Sequence, residues 1–290
     1  GWLHEHAPIV HDPFCGGGSI PLEAQRLGLK VSASDLNPVA TIITKAMIEI
    51  YPKFSGNDAI NPGSLENTGI KDSHGVGGII SDIEYYAKLI NNDAQKKIGN
   101  LYPKINNNNV IAWIWARTVE CSNPACGAEI PLVKSFQLHN DKGNKIIINP
   151  KIDEKTKKVL FEIKKGKNNP LGSTINGKVG AKCLLCPHTT KMKHITDAGK
   201  NGKLKQKLMG IIVEGKKGRE YLSAEYDSTD YSKIKKPEFV PGLEIPYNGR
   251  YLTVPQYGIK TFSDLFTSRQ LTALTTFRDL ILNYREKIID

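Results

Sequence analysis

The alternation of apolar and polar positions predicts a run of distinct elements along the chain. Pro8-Ile9-Val10 is a short apolar stretch that predicts a buried strand. It breaks into Cys15-Gly16-Gly17-Gly18, followed by a segment opening at Pro21 with helical spacing. A second short strand ends at Asp35, and Pro38 starts a helix through Ile42, Ile43, Ala46 and Ile50. Residues 51–78 are rich in Gly, Asn, Pro and Ser and predict a loop or linker. Ile83, Ala87, Ile90, Ala94, Ile98 and Leu101 recur at three- and four-residue steps, which predicts an amphipathic helix over 79–101. The aromatic and β-branched run at 110–119 predicts a strand, as do Ile146–Ile148 and Val159–Ile163. A last helix, capped by Thr267 or Ser268, carries Leu271, Leu274, Phe277, Ile281, Tyr284 and Ile288 on one expected face. The sequence shows no internal repeat.

Composition narrows the classes. Of the 290 residues 39% are apolar, enough for a core. No run of about eighteen apolar residues predicts a membrane span. The opening Gly1-Trp2-Leu3-His4-Glu5-His6 lacks the regions of a signal peptide. A chain that opens without Met, one short strand before a glycine turn, is expected to be cut from something longer. The expected location is cytoplasmic, where thiols stay reduced. Residues 141–220 hold 19 Lys and 1 Arg against 7 acidic residues, a net of +13, while the whole chain carries +11. Clustered lysine suits a phosphate backbone, whose counterions are released on binding. Solvated or mobile lysine-rich loops are the plainer alternative.

Strand, glycine turn, helix, strand and acid together predict a seat for a nucleoside-bearing cofactor. Glycines let the main chain approach a ligand, and the distal acid accepts ribose hydroxyls. The position of a third dinucleotide-binding glycine is occupied by Pro21, which disfavours NAD and FAD. No lysine follows Gly18 until Lys30, so this is not a phosphate-gripping loop. Asp-Pro-Phe-x-Gly-x-Gly at 12–18 instead resembles the S-adenosylmethionine loop of amino-methylating DNA methyltransferases. That resemblance implies that Asp12, Pro13, Phe14, Gly16, Gly18, Asp35 and Asn37 bind the cofactor. An ordinary α/β turn with chance glycines is the alternative.

Four of the five cysteines form two close pairs, Cys121-x4-Cys126 and Cys183-x2-Cys186. Each pair sits in a turn-forming context, and two facing turns of thiolates make a zinc ribbon. Residues 127–182 separate the pairs, which predicts a β-hairpin arm or insertion between the knuckles. Free thiols or two disulfides are the alternatives. His188 and His194 are candidate substitute ligands, and Cys15 reads as a small buried residue near the cofactor. A site of four thiolates leaves no open position for water, so the expected zinc is structural.

Longer strings then add up. They are Asp12-Pro-Phe-Cys-Gly-Gly-Gly-Ser-Ile-Pro-Leu-Glu-Ala, Ser34-Asp-Leu-Asn-Pro-Val-Ala, Trp115-Ala-Arg-Thr-Val-Glu-Cys-Ser-Asn-Pro-Ala-Cys and Asp264-Leu-Phe-Thr-Ser-Arg-Gln-Leu-Thr-Ala-Leu. In this order they resemble the zinc-ribbon-containing adenine-specific DNA methylases of bacteria and archaea, some found in phage-defence gene clusters. The resemblance implies an α/β, Rossmann-like methyltransferase fold, present in part, with an inserted small β zinc-ribbon domain. It also implies S-adenosylmethionine as methyl donor and an adenine amino group in DNA as acceptor. The polar-Pro-Pro-aromatic motif of amino methyltransferases is absent from these residues. No catalytic residue is therefore assigned, and the catalytic half is expected beyond Asp290 of the same polypeptide. A degenerate, non-catalytic homologue is the other explanation.

The expected domains are 1–115, binding S-adenosylmethionine; 116–200, a lysine-rich ribbon insertion; and 201–290, a linker, short strands and a helix returning to the methyltransferase core. Lysines of 141–220 are expected to contact DNA, with no membrane partner. An RNA amino methyltransferase, or a non-catalytic ribbon that binds nucleic acid or protein, are the competing expectations.

Overall fold

The computed structural model describes residues 1–66, 77–141, 144–166, 170–216 and 218–289. The chain is mixed α/β and gathers into two compact units: Gly1–Asp93 with Tyr284–Asp290, and Ala94–Asn283. The expected boundary at 115/116 falls inside a strand of the second unit.

In the first unit α1 (Trp2–His6) precedes β1 (Val10–Asp12), which pairs in parallel with β2 (Val31–Ala33). Parallel strands need a crossover, and α2 (Ser19–Arg26) supplies it. This helix starts at Ser19, ahead of Pro21. Proline fits there because first-turn N–H groups have no intrahelical acceptor. Beyond these two strands, no further strand of a doubly wound sheet stands in the first unit among the described residues.

Helix α3 (Pro38–Lys45) is capped by Asn37, whose side chain accepts the Val39 N–H at 3.0 Å. It runs through a π-turn (Ala46–Ile50) into α4 (Tyr51–Phe54). The Tyr51 N–H reaches Ala46 O just before Pro52, which has no N–H to give. Part of the expected 51–78 loop is thus helical, in α4 and in α5 (Pro62–Glu66); residues 67–76 of it lie outside the described residues. Asn61 is buried and ties α5 down: its amide donates to Asp82 at 2.7 Å, and its oxygen accepts the Ser64 N–H. Helix α6 (Gly77–Ile98), followed by a 3-10 turn at Gly99–Leu101, matches the expected helix over 79–101.

The second unit is largely antiparallel. Its main sheet has the order β12-β11-β3-β4, from β3 (Val110–Glu120), β4 (Glu129–Pro131), β11 (Lys205–Gly215) and β12 (Gly218–Ser223). A second sheet, β5 (Gln137–Asp141), β6 (Asn144–Ile152) and β7 (Val159–Gly166), fills the sequence between the two cysteine pairs. A third joins β8 (Ile175–Asn176), β9 (Gly180–Lys182) and β10 (Thr189–Lys191), and α7 (Met192–Lys200) follows it. Val119, Ile130, Ala181 and Ile195 pack together in one core, and Phe136, Ile148 and Met209 in another. Thr174, also buried, accepts the Val133 N–H and donates to Pro131 O, which stitches the chain before β8 to β4.

Helix α8 (Ser268–Ile289) corrects the expected apolar face. Leu271, Leu280 and Tyr284 are its buried hydrophobic positions among the described side chains, whereas Leu274 and Ile281 are more than half exposed. Leu271 and Leu280 stand on opposite sides of the helix, so no single stripe serves its whole length. Arg269, in the first turn of α8, is only 6% exposed and lies among Tyr102, Trp113 and Tyr231. No described helix is long and apolar enough to cross a membrane.

Candidate functional site

The two cysteine pairs meet. Cys121 and Cys126 flank the turn between β3 and β4, while Cys183 and Cys186 flank the turn between β9 and β10. Sγ of Cys121 lies 3.8 Å from that of Cys186, and Cys126 lies 3.8 Å from Cys183. All four sulfurs fall within 4.8 Å of one another. A disulfide requires about 2.05 Å, so these are not bonded pairs. Thiolates about 2.3 Å from a tetrahedral zinc stand about 3.8 Å apart. The donor set and its spacing fit a metal ion such as zinc.

Local turns prepare each knuckle. The Cys126 N–H donates to Asn123 O at 2.9 Å, and Gly127 takes φ +60° to turn the chain back into β4. In the other knuckle the Cys183 N–H donates to His188 O at 3.0 Å, and the Leu185 N–H points at Cys183 Sγ from 3.4 Å. The Asn123 amide approaches Cys186 Sγ at 3.9 Å. Of these groups only Asn123 has a local signal in the sequence, the Ser-Asn pair after Cys121. Burial pushes the Cys121 thiol up to about 12, whereas the His188 backbone N–H draws Cys186 down to about 7. A cation is needed to hold all four as thiolates at neutral pH. His188 is engaged elsewhere, its Nε2 2.8 Å from Ser122 Oγ. His194 is exposed, and the cluster contains neither histidine.

The residues expected to bind a cofactor gather at the carboxyl ends of β1 and β2. Asp12 ends β1, and its Oδ1 accepts the Phe14 N–H at 3.1 Å. Pro13 is exposed, and Phe14 is 79% exposed. Gly16 and Gly18 take φ +48° and +81°. A Cβ on Gly18 would lie 2.8 Å from Thr44 Oγ1, whereas one on Gly16 or Gly17 would meet nothing within 4 Å. Gly18 therefore admits α3, and Gly16 and Gly17 border open space. Asp35 Oδ2 accepts the Gly16 N–H at 2.9 Å, and Oδ1 accepts the Asn37 N–H at 2.8 Å. These N–H groups, that of Asn37 foremost, hold the Asp35 carboxyl below its usual range. Cys15 is buried and receives the Thr44 hydroxyl at 3.4 Å. A cavity of 670 Å³ in the same unit runs along β2 past Cys15, Thr44 and Ile48, but neither Asp12 nor Asp35 lines it.

The lysines of 141–220 are mostly exposed. Lys151 and Lys164 share Glu162, at 3.0 and 3.9 Å, and Lys205 pairs with Glu120 at 3.1 Å. Lys155, Lys158, Lys178, Lys182, Lys191 and Lys193 are exposed and make no ion pair with another described residue.

Comparison with protein-family models, with curated proteins and with solved structures finds no match to this chain.

Proposed function

We propose that this chain is the cofactor-binding and nucleic-acid-contacting part of an S-adenosylmethionine-dependent DNA adenine-N6 methyltransferase. One observation carries the reading. Asp12 ends β1, Asp35 stands two residues past the end of the adjacent parallel β2, and the two flank a turn in which Gly16 and Gly18 adopt positive φ. Open α/β sheets bind ligands outside the carboxyl ends of their strands. On this reading β1–α2–β2 is the opening unit of a Rossmann-like methyltransferase fold.

S-adenosylmethionine would supply an activated methyl group. Asp12 and the Gly16–Gly18 main chain would hold its methionine part. Asp35, with lone pairs left after its two backbone bonds, would accept the ribose hydroxyls. Phe14 offers an exposed aromatic face beside them. Asn37 acts one step back, since its side-chain oxygen is committed to capping α3. No residue here is assigned to the transfer step, and this chain by itself is expected not to methylate DNA.

The four thiolates would hold a structural zinc that fixes the two knuckles. The unpaired lysines around the ribbon would then meet phosphate, setting affinity and salt dependence while leaving sequence unread. Titration calorimetry with S-adenosylmethionine tests the cofactor. Saturable heat is expected, with weaker binding in Asp35→Ala; no heat and no thermal shift would leave the ribbon as a non-catalytic module. Competition between duplex DNA and structured RNA tests the polymer.

A further inference from the structure

Parts of two of the sequence strings set out above serve neither the glycine turn nor the cysteine cluster. They are Trp115-Ala-Arg-Thr-Val and the run from Asp264 into α8. In the second unit they converge on one cavity of 290 Å³. Arg117, from β3, stands directly opposite Gln206 of β11, and both line it. Lys236, Asp264, Phe266 and Tyr257 complete the part of the wall that matters.

The polar groups of this wall are unevenly satisfied. Arg117 is partly buried as a residue, but its guanidinium nitrogens reach solvent and make no hydrogen bond or ion pair with any described residue. Neither does the side-chain amide of Gln206. A guanidinium presents five N–H donors in a planar fork that matches phosphate or carboxylate. A guanidinium that reaches solvent and is held by no protein acceptor keeps its fork free for an anionic ligand. Asp264 is the opposing charge, but it is occupied: Oδ2 accepts the Lys260 and Thr261 N–H groups at 3.1 and 2.9 Å as part of a capping box. Those bonds, that of Thr261 foremost, hold its carboxyl below the usual range, with Lys236 also contributing. With Arg117 and Lys236 against Asp264, the wall keeps a net positive charge.

Beside these cations stands an aromatic surface. Phe266 is 43% exposed at the cavity, and Tyr257 is half-buried. A cationic pair next to an aromatic face is the combination that grips a phosphate and stacks a base. We propose that this cavity binds one nucleotide unit, its phosphate between Arg117 and Lys236, its base against Phe266, and its polar base edge within reach of Gln206. The unit could be a free nucleotide or one residue of a single strand. This site is distinct from the glycine turn and does not depend on methyl transfer.

The test uses the whole chain, with 8-azido-adenosine 5′-monophosphate as photoprobe and peptide mapping as readout. Two arms compete the label: adenosine 5′-monophosphate for a free nucleotide, and an oligo(dA) for a strand. A third adds saturating S-adenosylmethionine. Label on peptides covering 257–271, resistant to S-adenosylmethionine, is expected. Arg117→Gln should weaken labelling about ten-fold, as loss of a charge-assisted hydrogen bond does. Lys236→Gln, at an exposed position whose change leaves folding intact, should weaken it in the same direction. Competition by the oligonucleotide far below the mononucleotide concentration would assign a strand, and the reverse a free nucleotide. Label at residues 12–37 that S-adenosylmethionine displaces, or equal labelling of wild type and both variants, would overturn the proposal. The first of those results would leave the cofactor reading standing, so the two fail separately.

Discussion

The guanidinium of Arg269 lies 4.1 Å over the ring of Trp113. Tyr102 and Tyr231 close the box at 4.7 Å each. The Nη1 of Arg269 donates to Leu101 O and to the Tyr231 hydroxyl, both at 3.3 Å. Three electron-rich faces and two acceptors stand in for water around a buried cation. Arg269→Ala should therefore cost the second unit about 2–5 kcal/mol, by removing the cation–π contacts and opening a cavity. Arg269→Lys should recover little, because an ammonium lacks the planar fork. Chemical denaturation, read by tryptophan fluorescence, measures both; a loss under about 0.5 kcal/mol for the alanine variant would refute it.

The same box contains a pH-dependent element. Asp227 accepts the Trp113 indole N–H at 2.7 Å and also the Tyr231 hydroxyl. Burial pushes its carboxyl up, but hydrogen bonds from Thr229, Tyr231 and Trp113 outweigh this and hold it below the usual range. A depressed folded-state value means stability that is present above the unfolded carboxylate value and lost as pH falls through the folded one. Acid should thus destabilise the second unit below about pH 4. Asp227→Asn should flatten that dependence, and an unchanged slope would place the acid sensitivity elsewhere.

Metal content is the direct check on the cysteine cluster. The purified chain should hold about one zinc by elemental mass spectrometry, and Cys183→Ser should hold much less. Chelation should loosen the core of Val119, Ile130, Ala181 and Ile195, which packs against the knuckles, and leave β1–α2–β2 protected. Hydrogen exchange resolved by residue distinguishes this from a simultaneous collapse of both units.

At the glycine turn, Asp35→Ala removes the proposed ribose acceptor and also the tie to Gly16. S-adenosylmethionine affinity should fall roughly ten- to hundred-fold. An unchanged dissociation constant would mean that the ribose is held by another group.

Local patterning made much of this legible. The helix over 79–101, the strand at 110–119 and the four cysteines each carry their signal within a few residues. What escaped is non-local. The pairing of β11 with β3 sets Lys205 against Thr118, and no local period announces it. The buried face of α8 departs from a single stripe because Leu271 and Leu280 bury on opposite sides, which leaves Leu274 and Ile281 exposed. Helices α4 and α5 were hidden under Pro, Gly and Asn, which here act as helix starts rather than breakers. Arg269 reads in sequence as one more surface cation; its burial depends on Tyr102, Trp113 and Tyr231, which are brought in from three separate segments.

The turn between β1 and α2 is graded in what it tolerates. At position 18 any methyl would strike Thr44, and the backbone there already lies in the left-handed region, so two separate vetoes apply. Position 17 carries neither veto. A methyl placed there is a steric gauge: it leaves the protein's melting behaviour alone and subtracts only from whatever occupies the space in front of it.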